Sequence, residues 1–100
     1  MTDMTDLELT RLCAEAMGLS VELETRSGAH RWRDEYNHTY APLQDDAQAM
    51  ALVKKFRLQI DPHSEQWNVA SLTGYASLTE NLNRAICECV AKMQSQGVPS

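Results

Sequence analysis

Apolar residues recur at offsets of three and four in three separate stretches of the chain. Leu9, Leu12, Cys13, Ala16 and Met17 form the first stripe, Ala49, Leu52, Val53 and Phe56 the second, and Leu82, Ala85, Ile86, Cys89, Val90 and Met93 the third. That spacing marks one buried face of an amphipathic helix. Each stretch opens with a pair three residues apart: Thr5 and Glu8, Asp45 and Gln48, Ser77 and Glu80. In such a pair the first side chain covers the third amide of the helix and the second reaches back to the cap. Gly18 stops the first helix, and Gly97, with Pro99 beyond it, stops the third.

Between the helices the period changes from helical to alternating. Val21, Leu23 and Thr25 alternate with Glu22, Glu24 and Arg26, which predicts a half-buried strand with its charges in solvent. Ser27-Gly28 is a turn signal, with Ala29 to Trp32 as the returning strand. Leu58 and Ile60 flank Gln59, Asp61-Pro62-His63-Ser64 carries turn chemistry, and Trp67 and Val69 resume the alternation. The segment from Leu72 to Tyr75 reads as a further strand or a loop. Residues 33–44 form the one long irregular connection, the kind of segment that often carries binding. The expectation is one α+β domain over residues 1–100, a small antiparallel sheet with packed helices in the order α-β-β-α-β-β-α.

Composition adds the nature of the core. The chain is 43% apolar with only 6% aromatic residues, so the interior is mostly aliphatic. One hundred residues suffice for a core without staples. Three cysteines, an odd number, fit a reducing compartment better than a disulfide framework. No apolar run approaches the ~20 residues that span a bilayer, and Asp3 and Asp6 ahead of a broken apolar pattern do not make a signal peptide. These features predict a cytosolic protein.

Charge changes the picture more. The first 24 residues hold Asp3, Asp6, Glu8, Glu15, Glu22 and Glu24 against Arg11 alone, while the remainder balances to zero, so the net charge of -5 is local. A concentrated negative surface repels nucleic acid or fills a basic groove meant for it; the competing reading is solubility alone.

Candidate chemistry is sparse. Cys87 and Cys89 lie two apart on a helix, about 200 degrees around its axis, and cannot grip one ion. Cys13 and Cys89 fall on apolar stripes, and His30, His38 and His63 have no ligand spacing; no metal and no cofactor is expected. No serine occupies a nucleophile elbow, and no glycine-rich loop precedes a helix. Asp34-Glu35 and Asp45-Asp46 are neighbours in sequence, which seldom converge on one reacting bond. The expectation is a protein that is not an enzyme. Arg26, Arg31 and Arg33 surround Trp32, and Lys54, Lys55 and Arg57 cluster near a helix end, but a pI near 5.0 argues against direct nucleic-acid contact.

Surface binding remains. Tyr, Trp and Arg dominate protein interfaces, and Arg31, Trp32, Arg33, Tyr36 and Tyr40 lie within ten positions of one another. With Glu15, Glu22 and Glu24 they are the candidate partner-binding residues. For Trp32 and Tyr40 a place in the core is the competing reading.

The run from Tyr40 to Ala49 (Tyr-Ala-Pro-Leu-Gln-Asp-Asp-Ala-Gln-Ala), the strand with Leu58 and Ile60, and the helix with Asn83-Arg84-Ala85-Ile86 resemble small bacteriophage and prophage proteins. The resemblance covers roughly residues 36–95 and departs at Ala41, where asparagine is more usual. It implies an alpha-beta-alpha sandwich and brings no catalytic residue. In kind, a short acidic single-domain chain is similar to phage inhibitors of bacterial defence, notably anti-CRISPR proteins of type I systems. This implies a non-catalytic inhibitor in the host cytoplasm that binds Cas effector subunits and blocks target DNA without touching it. A phage accessory protein for another host or virion protein is the alternative, and a small-molecule enzyme a more distant one.

Overall fold

A computed structural model describes residues 5–26, 29–34, 38–72 and 74–95. The element order is α1 (Asp6–Ala16), β1 (Val21–Arg26), β2 (Ala29–Asp34), β3 (Thr39–Tyr40), α2 (Asp46–Phe56), β4 (Gln59–Pro62), β5 (Trp67–Ala70), β6 (Ala76–Thr79) and α3 (Leu82–Ser95). The class is α+β, as the patterns predict. Two three-stranded antiparallel sheets, β1-β2-β3 and β4-β5-β6, replace the single sheet and its four strands.

β3 is too short for periodicity to reveal, and β6 turns Ser77 and Thr79 inward while Ala76 and Leu78 stay exposed. Thr39 and Tyr40 pair with Arg33 and Trp32, and the return is closed by the Asp34 amide donating to the His38 carbonyl at 2.9 Å and the His38 amide donating to Asp34 Oδ1 at 2.9 Å. The expected irregular connection over residues 33–44 therefore starts as strand at Arg33 and Asp34, holds β3 at Thr39 and Tyr40, and is a turn from Pro42 to Gln44. β6 follows a turn in which Ser71 and Tyr75 exchange bonds, amide to carbonyl at 2.7 Å and Tyr75 amide to Ser71 Oγ at 3.0 Å. Gly74 sits in that turn at φ +99, a backbone setting only glycine adopts cheaply. β4 runs through Asp61 and Pro62, two residues into the predicted turn, and the hairpin closes at His63–Gln66, where the His63 amide meets the Gln66 carbonyl at 2.8 Å.

Two of the three caps form. Thr5 Oγ1 accepts from the Glu8 amide at 3.2 Å and Asp45 Oδ1 from the Gln48 amide at 3.0 Å. Gln48 does not reach back to Asp45. Its Oε1 accepts from the Ala41 amide at 2.6 Å and its Nε2 donates to the Thr39 carbonyl at 3.0 Å, tying α2 to β3. The third cap is corrected: Ser77 is buried in β6, and Asn81 starts α3 by accepting from the Arg84 amide at 3.0 Å. Asparagine caps as well as serine does, and the strand pairing claims Ser77. α1 ends on Gly18 at φ +74, with the Leu19 amide bonded to the Ala14 carbonyl and the Gly18 amide to that of Glu15, the Schellman pattern. α2 ends on Arg57 at φ 53, a left-handed residue with no sequence signal. The Ser27-Gly28 turn and the Gly97–Pro99 stop lie outside the described residues.

α3 is the centre of the molecule, packed by α1, α2 and the second sheet. Ala85, Ile86, Cys89, Val90 and Met93 are buried as predicted, and so are Cys87 and Ala91. These two, four apart, form a second stripe facing α1: Ala91 packs with Leu9 and Leu12, and the Cys13 thiol lies 3.6 Å from the Cys87 carbonyl. Their small side chains let two helices approach closely. A polar chain runs beside this contact, with Ser77 Oγ donating to Glu88 at 2.6 Å, Arg84 Nε to Glu88 at 2.9 Å, and Arg84 to Asp6 at 2.6 Å. It joins β6, α3 and α1.

Candidate partner-binding surface

The register of the first hairpin is written in charge. Glu22 stands opposite Arg33, Glu24 opposite Arg31, and Leu23 opposite Trp32. Opposite charges across an antiparallel pair favour that register over its neighbours, each pair by some tenths of a kcal/mol. Thr25 Oγ1 and His30 Nδ1 add a contact of 2.9 Å near the tip.

One end of this hairpin is anchored and the other stands clear. Trp32 Nε1 donates to the Leu7 carbonyl at 2.9 Å, and the half-buried ring packs on the main core. Val21 also packs there, but Leu23 is 45% exposed and Thr25 is exposed. The predicted buried face of β1 therefore ends after Val21.

Between α1 and β1 lies a cleft of about 870 Å³. Arg11 and Glu15 of α1 form one side, residues Leu19 to Glu24 the floor, and Trp32, Arg33 and Asp34 of β2 the far wall. Four carboxylates and two guanidinium groups line it. Arg11 bonds Glu15 at 2.9 Å, four residues on along the helix, and Arg33 bonds Glu24 at 2.6 Å. Both arginines are thus engaged by acids of the cleft, and the balance is negative. Glu22 is exposed and makes no ion pair among the described side chains.

Five candidate residues meet in this cleft: Glu15, Glu22, Glu24, Trp32 and Arg33. The others do not. Tyr40 is 7% exposed, part of the core, which removes it as a surface contact. Its hydroxyl has no hydrogen-bond partner among the described residues, and burial, then the nearby Cys13 and Cys87, push its pKa above the ordinary 10.0. Tyr36 lies outside the described residues. Arg31 stands opposite Glu24 in the backbone register, and its side chain lies outside what the structure describes. Trp32 combines the two readings, lining both this cleft and a smaller one of about 250 Å³ toward Thr39 and Leu43. Glu24 is not a freely solvated charge, since Arg33 holds it. Sequence reasoning passed over Arg11, Leu19 and Asp34; the four-residue spacing of Arg11 and Glu15 was the available signal.

The cysteines stay in the interior. Cys13 is raised above its ordinary pKa of 9.0 by its contact with Cys87 and by burial, and burial pushes Cys89 up to about 11. Neither is a ready thiolate near neutral pH. Among the described residues no group of three or more His, Cys, Asp or Glu side chains is placed to hold a metal ion, and no helix is long and apolar enough to cross a membrane. Lys55 of the basic cluster donates to the Ala16 carbonyl at 3.0 Å, capping the C-terminal end of α1.

Fold and site together define a small α+β protein whose main cleft is acidic and bordered by an edge strand. No family model matches the chain, and neither the curated proteins nor the solved structures contain a match to it.

Proposed function

We propose that this chain is a non-catalytic binding module that sets its acidic cleft against a basic groove of a partner protein. The observation that carries this reading is the convergence of Glu15, Glu22, Glu24, Trp32 and Arg33 on one cleft. Carboxylates there compete for the lysines and arginines that otherwise hold phosphates, which gives both fast association and exclusion of nucleic acid. Trp32, held in place by Leu7, supplies a fixed aromatic surface at low entropic cost.

The likeness in kind to phage inhibitors of bacterial defence supports the Cas subunits of a bacterial type I CRISPR surveillance complex as the partner, with blocked target DNA as the outcome. The test is DNA binding by the purified complex titrated with this protein. Glu22→Lys should weaken inhibition, with an effect that shrinks as salt rises, whereas Glu80→Lys at the start of α3 should not. Full DNA binding at saturating wild-type protein removes the CRISPR partner. Equal inhibition by wild type and Glu22→Lys removes the cleft as the contact.

A further inference from the structure

The cleft reaches both faces of β1, and Trp32, Arg33 and Asp34 of the paired β2 line it as well. Successive residues of a strand point to opposite faces, yet Val21, Glu22, Leu23 and Glu24 all line it. β1 is the outermost strand of its sheet, and no other described strand pairs with its free side. Alternate residues of β1 therefore turn their backbone amides and carbonyls to that free side, along the cleft's border.

The other edges are closed to pairing in ways this one is not. β4 carries Pro62, which has no amide to offer. On β6 the Ala76 carbonyl is taken by Lys92 Nζ at 2.6 Å. β3 is two residues long. β1 has six residues, contains no proline and shows an exposed Leu23. Charge is what guards it, and that charge selects the occupant. A two-fold pairing of two copies centred on Leu23 sets Glu22 opposite Glu24 twice. Centred on Glu22 or Glu24, it sets that glutamate against its own copy. A centre on Thr25 pairs Glu24 with Arg26 but engages only residues 24–26 of each β1, and a centre on Val21 engages only the start of the strand. Like charges directly opposite destabilise a strand pair, and opposite charges favour it.

We infer that the free edge of β1 accepts an extended basic segment of a partner protein as an added strand. The inference rests on the acidic-cleft reading and specifies how the cleft is filled. Basic side chains of the segment stand beside Glu22 and Glu24, apolar ones beside Val21 and Leu23, and the backbone supplies the hydrogen bonds.

A blocked peptide of alternating lysine and valine, as long as the six residues of β1, tests it. Amide resonances of the full chain are followed during titration at low ionic strength, with the parent peptide and two versions N-methylated on alternate residues. All three carry the same charge. The added strand predicts shifts over Leu19–Glu24 and slowed exchange at alternate β1 amides. Methylating the peptide edge that faces β1 should weaken binding roughly tenfold or more, because the hydrogen bonds to β1 are lost, and methylating the opposite edge should change it less than about twofold. Equal affinity of the two methylated peptides overturns the added strand while leaving the acidic cleft as a docking surface. Absence of shifts over Leu19–Glu24 with the parent peptide overturns both. Dimerisation of the chain through β1 without peptide overturns the choice of occupant.

Discussion

The two sheets are the same size and antiparallel, yet they stand in different relations to the rest of the molecule. In the β4-β5-β6 sheet Val69 and Ser77 are buried against α3, with Ile60 and Trp67 packed at their sides. In the β1-β2-β3 sheet the core ends at Val21, Trp32 and Tyr40, and beyond them both strands project with charged residues in register. One sheet is a layer of the fold. The other is half layer and half surface, and the projecting half carries Glu22 and Glu24, two of the six acids in the first 24 residues. Area hidden from water sets what a region contributes to stability, so removal of side chains should be costly in one region and cheap in the other.

The contrast breaks most clearly if α3 tolerates truncation. Ile86 is 1% exposed at the junction of α2, α3 and the second sheet, and Ile86→Ala should cost about 2 to 5 kcal/mol, read as a fall in the thermal midpoint. A shift within about one degree would remove that stripe from the core, since ~1 kcal/mol moves a domain this size by several degrees. A midsized effect is expected from high pH. Cys13, Cys89 and Tyr40 have folded pKa values raised above 9.0, 9.0 and 10.0. The unfolded chain therefore releases these protons first, and stability present below pH 9 is lost as pH climbs through the window above it. Thermal midpoints should fall steadily between about pH 9 and pH 11; a flat profile would mean that the thiols and the phenol are not buried.

Ser77→Ala sharpens the comparison further, because it deletes the hydroxyl bonded to Glu88 while leaving Arg84 in place. The loss should be about 1 to 2 kcal/mol in denaturant unfolding. The smallest effect belongs to the projecting hairpin, where Leu23→Ser should change stability by less than about 0.5 kcal/mol by the same measurement. A cost near that of Ile86→Ala would place Leu23 in a core and erase the distinction between the sheets.

Much of the scaffold was legible in the chain because helices write a long periodic signal. The stripes of α1, α2 and α3, the Thr5 and Asp45 caps and the Gly18 stop all followed from local chemistry. Two-residue β3 offered no such period, β6 buries its polar rather than its apolar positions, and Ser77 matched a cap pattern that strand pairing overrode. Cys87 and Ala91 were missed for a related reason. A hydrophobic stripe records one neighbour, whereas α3 has neighbours on two sides. Of the candidate site, the acids and Trp32 were visible as composition. Their convergence was not, since it depends on how far α1 reaches over β1, and Tyr40 left the surface through pairing with Trp32.

The account is tested most directly by hydrogen–deuterium exchange on the chain alone and in the presence of a type I surveillance complex. Protection gained on binding should concentrate in α1 from Arg11 to Glu15 and in residues Leu19–Glu24, with the β4-β5-β6 sheet exchanging as it does in the free chain. Protection confined to that second sheet, or none at Leu19–Glu24, would contradict the assignment of the acidic cleft as the docking surface.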